Sequence, residues 1–171
     1  MRGGTSKGII IRAELLPNEP EQRDAIILKI FGSPDRRQID GLGGADPLTG
    51  KLAIVGTPTR PDADIDYTFA QLGIEEAKVD YGGYCGNISS AVAAYGVDEG
   101  FVSVKSPMTT IRIHSTNLGR LIVAEVPVEK GRAAKKGDFV IDGVPGKGAS
   151  IRLDFSGTAG STTGQLLPTG P

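Results

Sequence analysis

The sequence predicts an α+β domain: a strand-rich, largely antiparallel sheet wrapped around a central helix. Three observations lead there. From Phe101 onward the apolar runs are all strand-like and follow one another through turns, the order of hairpins. Residues 64 to 72 alternate with a period of two. One run of small residues, NISSAVAAY at 87 to 95, reads as a helix slim enough to be buried on all sides.

The elements follow in order. Ile9-Ile10-Ile11 after Gly8 reads as a strand buried on both faces or nearly so. Asn18 offers a helix cap and Pro20 an early helical proline for EQRDAIILKIF. Ala25, Ile26 or Ile27, Ile30 and Phe31 recur there at helical spacing until Gly32 and Pro34 end the pattern. KLAIVG, opening at Lys51, is a second strand. In the alternating segment Ile65, Tyr67 and Phe69 take one face, with Asp64, Asp66, Thr68 and Ala70 on the other. Lys78 to Tyr81 gives a short strand. After the helix, FVSV, TTIRIHST, GRLIVAEVPV, DFVIDGV and ASIRLDF read as strands, with turns at 117–119 and 143–148. His114 alternates with Arg112, opposite Ile111 and Ile113, which predicts a solvent-facing histidine. EKGRAAKKGD reads as a solvated hairpin loop, and GSTTGQLLPTGP has no periodicity. No repeat or linker divides the chain, so residues 1–171 are expected to form a single domain.

Composition narrows the function classes. Hydrophobic residues make up 39% and charged residues 23%, a globular balance. The formal net charge of −1 provides no basic surplus for nucleic acid. One cysteine and one histidine exclude a disulfide framework and argue against a metal site. No apolar run approaches the ~20 residues needed to cross a bilayer, and residues 1 to 8 lack a signal-peptide core, so no membrane partner and a cytoplasmic location are expected. Glycine is the outlier at 25 residues. Its clusters RGGTSKG, DGLGGAD, GGYCGN and GTAGSTTG lie beside polar residues, where backbone N–H groups can converge on an anion.

Three stretches could carry chemistry. Cys85 lies in the glycine turn feeding the helix that starts near Asn87. The helix dipole and the N–H groups of Gly86, Asn87 and Ile88 would stabilise a thiolate or hold a substrate carboxylate, with Asn87, Ser89 and Ser90 adding side-chain donors. The other reading is an inert buried cysteine with Asn87 as the N-cap. Lys51 begins an apolar strand, where desolvation would favour a neutral amine usable as a base. Alternatively it is a solvated lysine at a strand end. In RGGTSKG, Thr5, Ser6, Lys7 and the glycine N–H groups could bind a carboxylate, or the segment is a flexible turn. It is not a phosphate loop, because the GxxxxGK[ST] spacing is absent.

Together, RGGTSKG, DGLGG with a lysine a few residues on, and YCGN leading into SSA at a helix start resemble the PrpF-like family. That family comprises 2-methylaconitate cis–trans isomerases, 3-methylitaconate isomerases and 4-oxalomesaconate tautomerases, of the diaminopimelate epimerase-like fold. The likeness continues through STNLGRLIVAEVPV, GDFVIDGVPGKGASIRLDF and GSTTGQLLPTG, over the whole chain in order. It implies two similar domains, each a sheet around a helix, with the active site in the cleft between them. It also implies no cofactor, no metal, and a proton shift within an unsaturated di- or tricarboxylic acid. The family's catalytic lysine matches Lys51 and its active-site cysteine matches Cys85. Its carboxylate-binding loops match Thr5, Ser6 and Lys7, and the region of Gly86, Asn87, Ser89 and Ser90.

There are two departures from the family. Gly50 precedes the lysine where many members carry a hydroxyl residue. The chain also resembles only the first half of a typical member, with a shortened N-terminal strand. A lone first half would expose the face that a second domain covers, which favours a homodimer. The alternative to an isomerase is a carboxylate-binding or structural half-domain without turnover.

Overall fold

The computed structural model describes residues 1–161, 163–167, 169 and 170; the motif GSTTGQLLPTG thus lies partly outside the described residues. Nine strands form one curled sheet: β1 (Arg2–Gly3), β2 (Ser6–Arg12), β3 (Lys51–Gly56), β4 (Ile65–Leu72), β5 (Val79–Asp80), β6 (Met108–Ser115), β7 (Arg120–Glu129), β8 (Arg132–Ala133) and β9 (Arg152–Asp154). The order is β1-β2-β3-β4-β6-β7-β8, with β5 beside β4 and β9 beside β7. Among the described residues only β2/β3 and β4/β6 pair in parallel. The largely antiparallel α+β domain expected from the sequence is what forms.

Two helices, α1 (Pro20–Phe31) and α2 (Gly86–Asp98), cover opposite faces of the sheet. The two-residue period of the strands explains how one sheet serves both. Ala53 and Val55 of β3 turn toward α2, joining Tyr67, Phe69, Ile111, Ile113, Ile88 and Val92 in the main core. Leu52 and Ile54 turn the other way and pack with Ala70, Leu72, Ile27 and Phe31. Full burial of each large aliphatic side chain contributes about 1.5–3 kcal/mol. Helix α2 fits inside the curl because its residues are small. At Gly96 a Cβ would stand 2.4 Å from Ile111 Cδ1.

Several expectations need correction. The N-cap of α1 is Glu19, not Asn18; Pro20 lacks an N–H and has its φ set for the first helical position, which moves the boundary. Ile27 and Phe31 are its buried pair, while Ile26 is exposed. FVSV forms no strand, and DFVIDGV contributes one isolated bridge, Phe139 to Gly148. The free edge of β7 is already taken by β8 and β9, so these runs have little strand to pair with. ASIRLDF keeps only Arg152–Asp154 as strand. His114 is not solvent-facing. It is 9% exposed, its Nδ1 lies 2.9 Å from Asp66 Oδ1, and Thr59 Oγ1 donates to Asp66 Oδ2 at 2.7 Å. Residues on the outer face of a strand stay exposed only where no loop crosses them, and the loop carrying Thr59 crosses here.

Asn117, just past β6, behaves as a piece of strand made from a side chain. Its Oδ1 accepts Phe69 N–H at 2.7 Å, and its Nδ2 donates to Phe69 O and Tyr81 O, both at 2.9 Å. It thereby anchors the segment entering the Gly82–Cys85 turn. Asn117→Ala is expected to cost about 1–2 kcal/mol, since backbone groups lose partners in a half-buried setting. Urea denaturation measures this, and an unchanged midpoint would mean water replaces the amide fully.

Candidate active site

Lys51 opens β3 and has the same parity as Ala53 and Val55, so it lies on the face that α2 covers. Its Nζ is 5.6 Å from the centroid of the Phe69 ring and donates to Gln71 Oε1 at 3.3 Å. Cys85 is 8% exposed and belongs to the same core as Phe69. It occupies the N-cap of α2 in extended conformation, and no side chain caps the helix. The first-turn N–H groups of Gly86, Asn87 and Ile88 are therefore open to an outside acceptor.

Ser6 links the two. Its Oγ lies 3.9 Å from Cys85 Sγ, and Gly8, two residues along the same strand, pairs with Lys51. Lys51, Ser6 and Cys85 thus share one face at one end of the sheet. Behind them, Tyr67 Oη donates to Cys85 O at 3.4 Å; burial first, and the neighbouring Cys85 second, push its pKa well above the usual tyrosine value. Tyr67 is therefore a neutral prop for the turn. Tyr84 and Phe155 stand in front, their rings 6.4 Å apart, with Phe155 against Gly86.

The other predicted site residues divide. Thr5 and Asn87 meet, Asn87 Nδ2 donating to Thr5 Oγ1 at 3.0 Å, and both are exposed. The Asn87 side chain ties the N-terminal loop to α2 and does not cap the helix. Ser89 is fully buried, and its Oγ donates to Cys85 O at 3.1 Å, so it braces the turn from within. Ser90 Oγ donates to Asn87 O at 2.8 Å, and Ser90 lines a cavity of about 210 Å³ together with Gly86, Asn87, Arg2, Phe139 and Ile151. Lys7 alternates to the face opposite Ser6, where a Cβ on Gly44 would come within 3.2 Å of its Nζ. Lys7 is not brought together with Cys85. Among the described residues no three His, Cys, Asp or Glu side chains form a metal-binding group.

Glycines in two of the motifs, RGGTSKG and DGLGG, do other work than anion binding. Gly3 is needed because a Cβ would stand 2.4 Å from Asn87 O. This close approach lays the Thr5–Ser6 loop on α2. In DGLGG, Gly43 N donates to Phe31 O and Gly41 N to Gln38 O, so these N–H groups are already used. Gly50, by contrast, has nothing nearer than 3.4 Å to an added Cβ, so a Cβ is accommodated there. The residues missed by sequence reasoning are Gln71 and Asn117. Gln71 continues the Ile65, Tyr67, Phe69 alternation by one step, and a polar residue at an inward position facing Lys51 was the available signal.

With that geometry established, similarity to known proteins decides the family. The family model described as PrpF protein matches residues 1–171. The chain belongs to the PrpF family. It is 60% identical over 170 residues to a 3-methylitaconate isomerase of Eubacterium barkeri, covering 99% of this chain and 45% of that protein. It is 48% identical to a 4-oxalomesaconate tautomerase of Pseudomonas putida, covering 99% of this chain and 47% of the relative. A crystal structure of methylitaconate-delta-isomerase superposes with a TM-score of 0.96 at 59% identity, over 99% of this chain and 44% of the other. This PrpF-family chain spans about half the length of the curated relatives it matches. No helix among its described residues is long and apolar enough to cross a membrane.

Proposed function

We propose that this PrpF-family chain carries the catalytic half of a cofactor-independent isomerase that shifts an allylic proton, or interconverts cis and trans forms, in unsaturated di- or tricarboxylic acids such as 2-methylaconitate or 4-oxalomesaconate. The observation that carries the reading is the shared face of Lys51, Ser6 and Cys85 at the uncapped end of α2. Lys51 removes a proton from the carbon adjacent to the double bond, leaving a dienolate. The N–H groups of Gly86 and Asn87 and the hydroxyls of Thr5 and Ser6 take the carboxylates and the developing charge. Cys85 returns a proton at the far carbon of the allylic system, and the double bond moves by one position. No electrons are exchanged. Ser89 acts through the Cys85 carbonyl, and a reducing cytoplasm would keep the single thiol free.

Proton NMR in deuterated buffer, across a panel of unsaturated di- and tricarboxylates, tests this. Deuterium should enter the allylic carbons of at least one. Saturable binding without exchange would favour the carboxylate-binding half-domain, and neither result would leave a structural role.

Tyr84 and Leu48, flanking Cys85 and Lys51 in sequence, are 45% and 53% exposed. A covering face between domains typically buries about 600–1,500 Å². A second copy of this chain could supply such a face, so two-fold self-association of the 171-residue chain is expected. Light scattering across a concentration series checks it; a clean monomer at high micromolar concentration would show that the face stays wet without penalty.

A further inference from the structure

Gln71, near the end of β4, sits directly across from Lys51 in the β3/β4 ladder. Its Nε2 donates to Gly50 O at 2.8 Å and to Pro47 O at 3.2 Å, and its Oε1 accepts from Lys51 Nζ at 3.3 Å. The two carbonyls decide the orientation of the amide. A flipped amide would aim oxygen at two carbonyl oxygens and an NH₂ at the lysine nitrogen, three mismatched contacts at once. The acceptors are themselves held, because Gly50 O also accepts Leu72 N–H and Gly50 N donates to Asp46 O. Gln71 can therefore offer Lys51 only its oxygen.

We infer that Gln71 is a positioning residue for Lys51, fixing the amine by a locked acceptor and coupling it to the 46–50 loop. The inference rests on reading Lys51 as the base. Both fixed neighbours of Nζ, the Phe69 ring and Gln71 Oε1, belong to β4. Among the described residues Nζ has no hydrogen-bond partner besides Gln71, which leaves it a position to take a substrate proton. A lysine on four rotatable bonds otherwise loses much of its time to unproductive rotamers.

The test reads Lys51 without needing turnover. Acylation by an amine-selective reagent is followed from pH 6 to 11 by peptide mass spectrometry, with Lys7 and Lys78 of the same digest as references. In Gln71→Glu a carboxylate beside the ammonium should move the midpoint of Lys51 labelling up by about one pH unit. Gln71→Met, which removes the acceptor, should move it down and speed labelling several-fold at neutral pH, with the reference lysines unmoved. If circular dichroism shows the glutamate variant unfolded, the methionine variant decides alone. Midpoints unchanged relative to the references would overturn the inference, whereas a scaffold role predicts that result. Because labelling is independent of proton exchange, failure here and failure of Lys51 as the base are separate outcomes.

Discussion

With Lys51 as the proposed base, Lys51→Ala is expected to slow any deuterium incorporation into an unsaturated carboxylate by about 10²–10⁴-fold, the usual worth of a positioned general base. The half-buried ammonium contributes little to the fold, so far-UV circular dichroism should not change. Lys51→Arg sharpens the experiment. Arginine keeps the positive charge and some reach toward Gln71, but its guanidinium does not give up a proton near neutral pH. The arginine variant should therefore retain carboxylate binding while losing exchange to a similar degree. Exchange at the wild-type rate in either variant would remove Lys51 from the reaction and transfer the role of base elsewhere. The same measurement separates charge from chemistry, because a residue that only attracts carboxylates would survive replacement by arginine.

Gly41→Ala is expected to destabilise the protein by about 3 kcal/mol, the upper end of overpacking costs. An added Cβ would stand 2.1 Å from Gly32 N, 2.1 Å from Phe31 C and 2.3 Å from Phe31 O. All three are backbone atoms at the end of α1, so no rotamer change relieves the contact. Either the 38–43 loop lifts or α1 shifts, and Phe31 leaves a core in which it is fully buried. For a domain of marginal stability, about 5–15 kcal/mol in all, this is a large share. Urea denaturation should show a lower midpoint at constant slope. Gly50→Ala is the control, with nothing nearer than 3.4 Å to the new atom, and should leave the midpoint close to wild type. Equal midpoints for both variants would mean the loop around Gly41 moves without cost.

Local pattern was sufficient for much of this protein. The alternation through Ile65, Tyr67 and Phe69, the helical spacing of Ile27 and Phe31, and the small-residue run of α2 each depend on a residue and its near neighbours, so they were readable along the chain. The glycine turn before a helix made Cys85 a candidate and the apolar strand opening at Lys51 made that lysine one, but local pattern left an inert cysteine and a solvated lysine open. Their common face followed only from the parallel pairing of Gly8 with Lys51 and the contact of Ser6 with Cys85, which join residues 43 and 79 positions apart in sequence. Distance along the chain also hid what the flanking residues do. Ser89 was expected at the surface of the site and is enclosed by the curl of the sheet; Lys7 was grouped with Ser6 and points the other way, because neighbours in a strand take opposite faces. His114 is exposed by its strand's alternation alone and buried by a loop from elsewhere. Pattern in sequence reports which face a residue prefers, but which partner occupies that face is settled by chain segments that meet only when the protein folds.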